Sequence, residues 1–155
     1  VKSLKLSALV RLPWAFAHLD THDIHLCGLL QQEASRRRHE LTPFGLSSIT
    51  WSFAKLRGRP QDSFMKAVKE EALAKAGEFN PQDCSNFLWA VARLGGATRE
   101  FVQSLGLCAE ARLLEFKPQE LSCLVWAVAR ANARAELVLA APHAAAGRLG
   151  AFRPQ

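Results

Sequence analysis

Apolar and polar residues recur along this chain in blocks that restart every 37 or 38 residues. Each block opens on a large apolar residue (Leu4, Leu41, Phe79, Phe116) and reaches a tryptophan ten positions later (Trp14, Trp51, Trp89, Trp126). Around each tryptophan the apolar residues are spaced by three and four: Leu9, Leu12, Phe16; Leu46, Ile49, Phe53; Cys84, Phe87, Val91; Leu121, Leu124, Val128. That spacing puts them on one face of an amphipathic helix. Three blocks carry a proline eight residues before the tryptophan, at Pro43, Pro81 and Pro118. Proline costs nothing at a first helical position, where the missing N–H has no partner anyway, and Thr42 and Asn80 are placed to cap. A first helix of about 14 residues is predicted in each block, ending near Leu56, Gly95 or Asn132. Polar breaks follow ("RGRPQD", "GGAT", "ANAR"), and then a second apolar period, as in Phe101, Leu105, Cys108 and Ala109. Gly77 is the expected stop of the second helix in the second block. In the fourth block that helix is alanine-rich and interrupted by Pro142. No run alternates with period two, so no strand is expected.

A helix pair of this size cannot bury its apolar faces alone, whereas stacked neighbours bury them jointly. The expected fold is therefore all-α, a single α-solenoid of helix-turn-helix hairpins. Its repeats run approximately over 4–40, 41–78, 79–115 and 116–151, and "FRPQ" at 152–155 opens a fifth. Both ends cut the period, so the chain is expected to be the ordered part of a longer array. The first block is the least regular: it lacks the opening proline and has Pro13 just before its tryptophan.

At about 100° per residue, the first helix presents two further faces. One holds small residues, Val10, Ser47, Ser85 and Ser122 with an alanine three positions after every tryptophan (Ala17, Ala54, Ala92, Ala129). Such residues let a neighbouring helix come close. The other is polar. It carries a basic residue four positions after the tryptophan, His18, Lys55, Arg93 and Arg130. It also carries changing residues three positions before (Arg11, Ser48, Asn86, Cys123) and seven before (Ser7, Phe44, Gln82, Gln119). A basic residue repeated in register is suited to neutralising one phosphate per unit, and a changing polar residue beside it is suited to meeting a base edge of single-stranded RNA. The same stripe is also what a solvated helix face looks like, with a cation favourable at each helix C-terminus. The tryptophans border this face. They could stack on bases, but their constancy favours packing between units.

Composition adds a partner class. The 155 residues are 49% hydrophobic and 22% charged, as in a folded domain, and carry a net charge of +6. With a pI near 9.6, the chain suits a polyanion such as nucleic acid or an anionic membrane surface. No apolar run reaches the length of a membrane span, so no membrane insertion is expected. Cys27, Cys84, Cys108 and Cys123 form no CxxC pair, which favours a reducing compartment over a disulfide framework. Arg36, Arg37 and Arg38 with His39 form a second basic cluster, suited to phosphate or to a solvated helix end. His18, His22, His25 and Cys27 straddle a predicted turn and do not share a helix face, so no metal is expected. No phosphate-binding glycine loop, nucleophile elbow or zinc-protease motif occurs; neither an enzyme nor a cofactor is expected.

The blocks "LTPFGLSSITWSFAKLR", "FNPQDCSNFLWAVARLG" and "FKPQELSCLVWAVARAN" resemble the octotricopeptide repeat and the similar heptatricopeptide repeat. The resemblance spans nearly the whole chain and is strongest in the second to fourth blocks. It implies helical hairpins that bind organellar RNA in a mitochondrion or plastid, aiding its maturation, stability or translation, or forming part of a ribosome or other RNA–protein assembly. It implies no catalytic residues. The competing expectation is a structural adaptor that uses the same stack to hold proteins.

Overall fold

A computed structural model describes residues 4–20, 23–56, 60–110 and 112–131. Among them the chain is all-helical, with seven α-helices and no strand: α1 (Leu6–Leu19), α2 (Ile24–Arg36), α3 (Pro43–Lys55), α4 (Asp62–Ala74), α5 (Pro81–Arg93), α6 (Arg99–Glu110) and α7 (Pro118–Arg130). The second helix expected in the fourth block, Pro142 and the opening of a fifth block lie outside the described residues. Odd-numbered helices pack side by side in the order α1, α3, α5, α7, and even-numbered ones in the order α2, α4, α6.

The helix starts follow from local chemistry. Pro43, Pro81 and Pro118 stand in the first turns of α3, α5 and α7. Thr42 Oγ1 accepts from the Gly45 N–H at 3.2 Å, and Asn80 Oδ1 from the Asp83 N–H at 2.8 Å. Lys117 has no capping oxygen, and its own N–H donates to Glu120 Oε2 at 2.8 Å instead. Asp23 and Thr98 cap α2 and α6 through the N–H groups of Leu26 and Phe101. At its far end α5 closes on Gly95, whose φ of +79° is left-handed. The Gly96 N–H then bonds Val91 O, and the Gly95 N–H bonds Ala92 O, which satisfies two terminal carbonyls. Gly77 does not play that part for α4. The helix ends earlier, at Ala74, because Lys75, at φ −108° and ψ 17°, leaves the helical conformation; Gly77 lies within a short 3₁₀ turn, Ala76–Glu78.

The core runs between the two rows of helices. Leu9, Leu46, Ile49, Phe53, Cys84, Phe87, Val91, Leu121, Leu124 and Val128 are all buried there, facing Leu30, Phe64, Val68, Phe101, Val102 and Leu105 from the even helices. Leu12 and Phe16, from the least regular block, are only partly buried. On the second face, Ser47, Ala54, Ser85 and Ala92 are at most 2% exposed; small side chains let α3 and α5 approach their neighbours. Ser47 Oγ donates to Asp83 Oδ1 of α5 at 3.0 Å. A Cβ added at Gly45 would already touch Val10 of α1 at 3.5 Å.

One device recurs three times. A basic side chain at the end of each even helix returns to the carbonyl of the residue that opens its own block. Arg37 Nη1 donates to Leu4 O (2.7 Å), Lys75 Nζ to Leu41 O (2.7 Å) and Arg112 Nη1 to Phe79 O (3.0 Å). Carboxylates hold these cations in place: Glu40 on Arg37, Glu71 on Lys75 and Glu115 on Arg112. Each bond fastens the end of a hairpin to its beginning.

Candidate nucleic-acid interface

The basic residue four positions after each tryptophan falls in the last turn of α1, α3, α5 or α7. Because those helices lie side by side, their tryptophans and cations interleave. The His18 ring lies 3.8 Å from the Trp14 ring and 6.0 Å from that of Trp51. Its Nδ1 is 2.9 Å from Trp14 O. Lys55 Nζ stands over two indoles, 5.2 Å from Trp51 and 5.8 Å from Trp89. The Arg93 guanidinium is 5.4 Å from the Trp89 ring, which is in turn 6.1 Å from Trp126. Arg130 follows on α7. All four cationic or imidazole side chains are exposed. An ammonium or guanidinium over an indole face is attracted by the ring quadrupole by about 0.5–1 kcal/mol at an exposed site. That holds Lys55 and Arg93 against the indoles without removing their charge from solvent.

Arg93 does a second thing. Its Nε donates to Ala54 O of α3 at 3.0 Å, satisfying a carbonyl in the last turn of the preceding helix. The sequence suggested that such a cation favours the end of its own helix; here it closes the neighbour's. Packing between units and exposure are likewise not alternatives for the tryptophans. Trp51 and Trp89 are half-buried between helices, whereas Trp14 is 47% and Trp126 40% exposed.

Beside this row lies a groove of about 680 Å³ across α1, α3 and α5, within the usual range of ligand sites. Four of the base-reading candidates line it together: Arg11, Ser48, Gln82 and Asn86. Trp14, Trp51 and Phe44 provide aromatic surface, and Asp83 with Ser47 forms its inner part. Ser7, Gln119 and Cys123 occupy the matching helical positions but do not line the groove. Ser7 and Gln119 are exposed; Cys123 is half-buried, and burial pushes its thiol up, as it does for Cys27. Both thiols are correspondingly weak nucleophiles.

Arg36, Arg37 and Arg38 are not brought to the row. They stand at the end of α2, where Arg37 meets Leu4 ahead of α1, while His18 is in the last turn of α1. Arg36 makes two bonds to Glu33, at 2.6 and 3.0 Å, and these hold that carboxyl below its ordinary value. Arg37 is paired with Glu40, and Arg38 Nη1 donates to Ser35 O at 3.4 Å. Arg37 thus fastens the hairpin. The sequence shows the repeated cation, Arg37, Lys75 and Arg112, but not the carbonyl that each one meets.

Two further groove residues, Phe44 and Asp83, are not among the polar positions that the repeat pattern offers to a base. Phe44 stands where the other blocks have Ser7, Gln82 and Gln119, and is 64% exposed; a large aromatic breaking a polar pattern was the available sign. Asp83 is 6% exposed. Burial pushes its carboxyl up, against the hydrogen bonds from Ser47 and Asn80 that pull it down.

Among the described residues no three His, Cys, Asp or Glu side chains are grouped to hold a metal ion, and no helix is long and apolar enough to cross a membrane; His22 lies outside the described residues. No protein-family model matches the sequence, and no curated protein matches it.

Proposed function

We propose that the chain is an α-solenoid with a 37–38-residue period that binds single-stranded RNA along its odd-numbered helices. The supporting observation is the interleaved row of indoles and cations from Trp14 to Trp126, which runs beside the groove holding Arg11, Ser48, Gln82 and Asn86. Cations in register follow a phosphate backbone. Partly exposed aromatic rings supply stacking surfaces for unpaired bases, worth about 1–3 kcal/mol per base. On the family resemblance we place the activity in a mitochondrion or plastid, where the chain acts without catalysis on a transcript or within a ribosome or other RNA–protein assembly.

Stacking makes this testable with the chain's own fluorescence. Titration with a 12-mer of oligouridine should quench the tryptophan emission saturably, with a midpoint in the micromolar range at physiological salt. The same length of duplex RNA should quench it far less, because its bases are not free to stack. Emission unchanged by single-stranded RNA to about 100 µM, the weak limit of ordinary non-specific binding, rejects the proposal.

A further inference from the structure

We propose that the groove across α1, α3 and α5 is a guanine-selective pocket for one nucleotide of the bound RNA strand. This inference rests on the RNA-binding reading above and adds a base identity to it.

Asp83, 6% exposed, is a buried charge without a counter-charge among the described residues. Its oxygens accept only from neutral groups, Ser47 Oγ on Oδ1 at 3.0 Å and Asn80 Nδ2 on Oδ2 at 2.8 Å. A buried carboxylate is costly unless further donors reach it, and each oxygen can accept a second bond. The groove it lines is where those donors would come from. Helix α1 supplies the opposite chemistry. Arg11 lines the same groove, is exposed, and offers a planar fork of donors. In the same groove, Trp14 and Phe44 present exposed ring surface.

A base that satisfies both ends must show acceptors on one edge and N–H donors on the other. Guanine does: O6 and N7 suit an arginine fork, while N1–H and the 2-amino group face a carboxylate from the Watson–Crick edge, an edge that proteins read in unpaired RNA. Adenine alternates a donor and an acceptor where guanine has two acceptors. Cytosine brings a single amino group to the acid, and uracil a single N–H. Ser48 and Asn86, with no side-chain hydrogen bond to other described residues, remain to meet the ribose or the base edge.

The test uses oligouridine 12-mers carrying one central guanosine, adenosine, inosine or 7-deazaguanosine, with binding read by anisotropy. The guanosine oligomer should bind about tenfold more tightly than the adenosine one, the scale of one well-made bidentate contact. Inosine, lacking the 2-amino group, and 7-deazaguanosine, lacking N7, should each lose most of that advantage. Arg11→Gln, a surface change that leaves the fold intact, should bring guanosine and adenosine oligomers to equal affinity, and Asp83→Asn should bring guanosine to the level of inosine. Equal affinity for all four oligomers, with binding retained, overturns the guanine pocket and leaves RNA binding standing. Binding of none of them overturns both. Free GMP competing at the same concentration as the guanosine oligomer assigns the pocket to free nucleotides and overturns it as an RNA subsite.

Discussion

Phe87→Ala is expected to destabilise the chain by about 4 kcal/mol, the usual scale for removing a buried phenyl ring. Phe87 is fully buried on α5. Its ring meets Phe79, ahead of the helix, at 5.7 Å and Phe101 of α6 at 6.3 Å. It therefore joins the segment leading into a hairpin to both of its helices. Alanine would leave a cavity lined by two aromatic rings, and the pair interactions, each about 0.5–1.5 kcal/mol beyond burial, would be lost as well. Urea unfolding at neutral pH measures the loss directly. In the solenoid proposed above, repeats contact chiefly their neighbours, so the damage should begin locally. Amide exchange should then rise first in α5 and α6, with α1 and α2 retaining their protection longer.

The second large effect is at Glu71, whose side chain is 5% exposed on α4. Burial on its own raises that carboxyl, but the hydrogen bond and charge of Lys75 (2.8 Å) and the contact with His39 (2.6 Å) outweigh it, and the net shift is downward. A depressed carboxyl stabilises the fold above the unfolded value of about 4.3. That contribution is lost as pH falls through the folded value. Glu71→Gln removes the charge that holds Lys75 on His39 O and Leu41 O. It should cost about 2 kcal/mol at pH 7, the range of a hydrogen bond to a charged group. The gap between wild type and variant should narrow steadily below pH 4, when both carry an uncharged side chain. A gap that stays constant down to pH 2.5 would mean that Glu71 acts through packing alone.

The helix positions were largely legible in the chain, because periodicity, proline and caps all act within a few residues. Pro43 with Thr42 and Pro81 with Asn80 start α3 and α5 where the local chemistry puts them. Lys117 shows the limit: with no capping oxygen, α7 still starts at Pro118, its N-terminus served by Glu120. The end of α4 was misplaced at Gly77, since a glycine fixes a stop only where φ turns positive, as at Gly95. What a periodic pattern does not carry is the pairing of side chains across 33 to 39 residues. Arg93 on Ala54 O, Ser47 on Asp83 and the three hairpin fastenings arise only once helices lie beside one another. For the same reason the groove was half visible. Arg11, Ser48, Gln82 and Asn86 stood out as polar and variable, whereas Phe44 and Asp83 gain meaning from their neighbours.

The proposed contacts of Lys55, Arg93 and Arg130 with one phosphate each are read out by the salt dependence of RNA binding. The logarithm of the association constant for an oligouridine 12-mer, plotted against the logarithm of salt concentration, should fall linearly. Replacing all three residues with alanine should flatten that slope by about 2, from roughly 0.7 per contact on a single strand, with the helical circular dichroism unchanged. A slope identical to that of the wild type would place the phosphates elsewhere and rule out the odd-helix cations as the RNA-binding row.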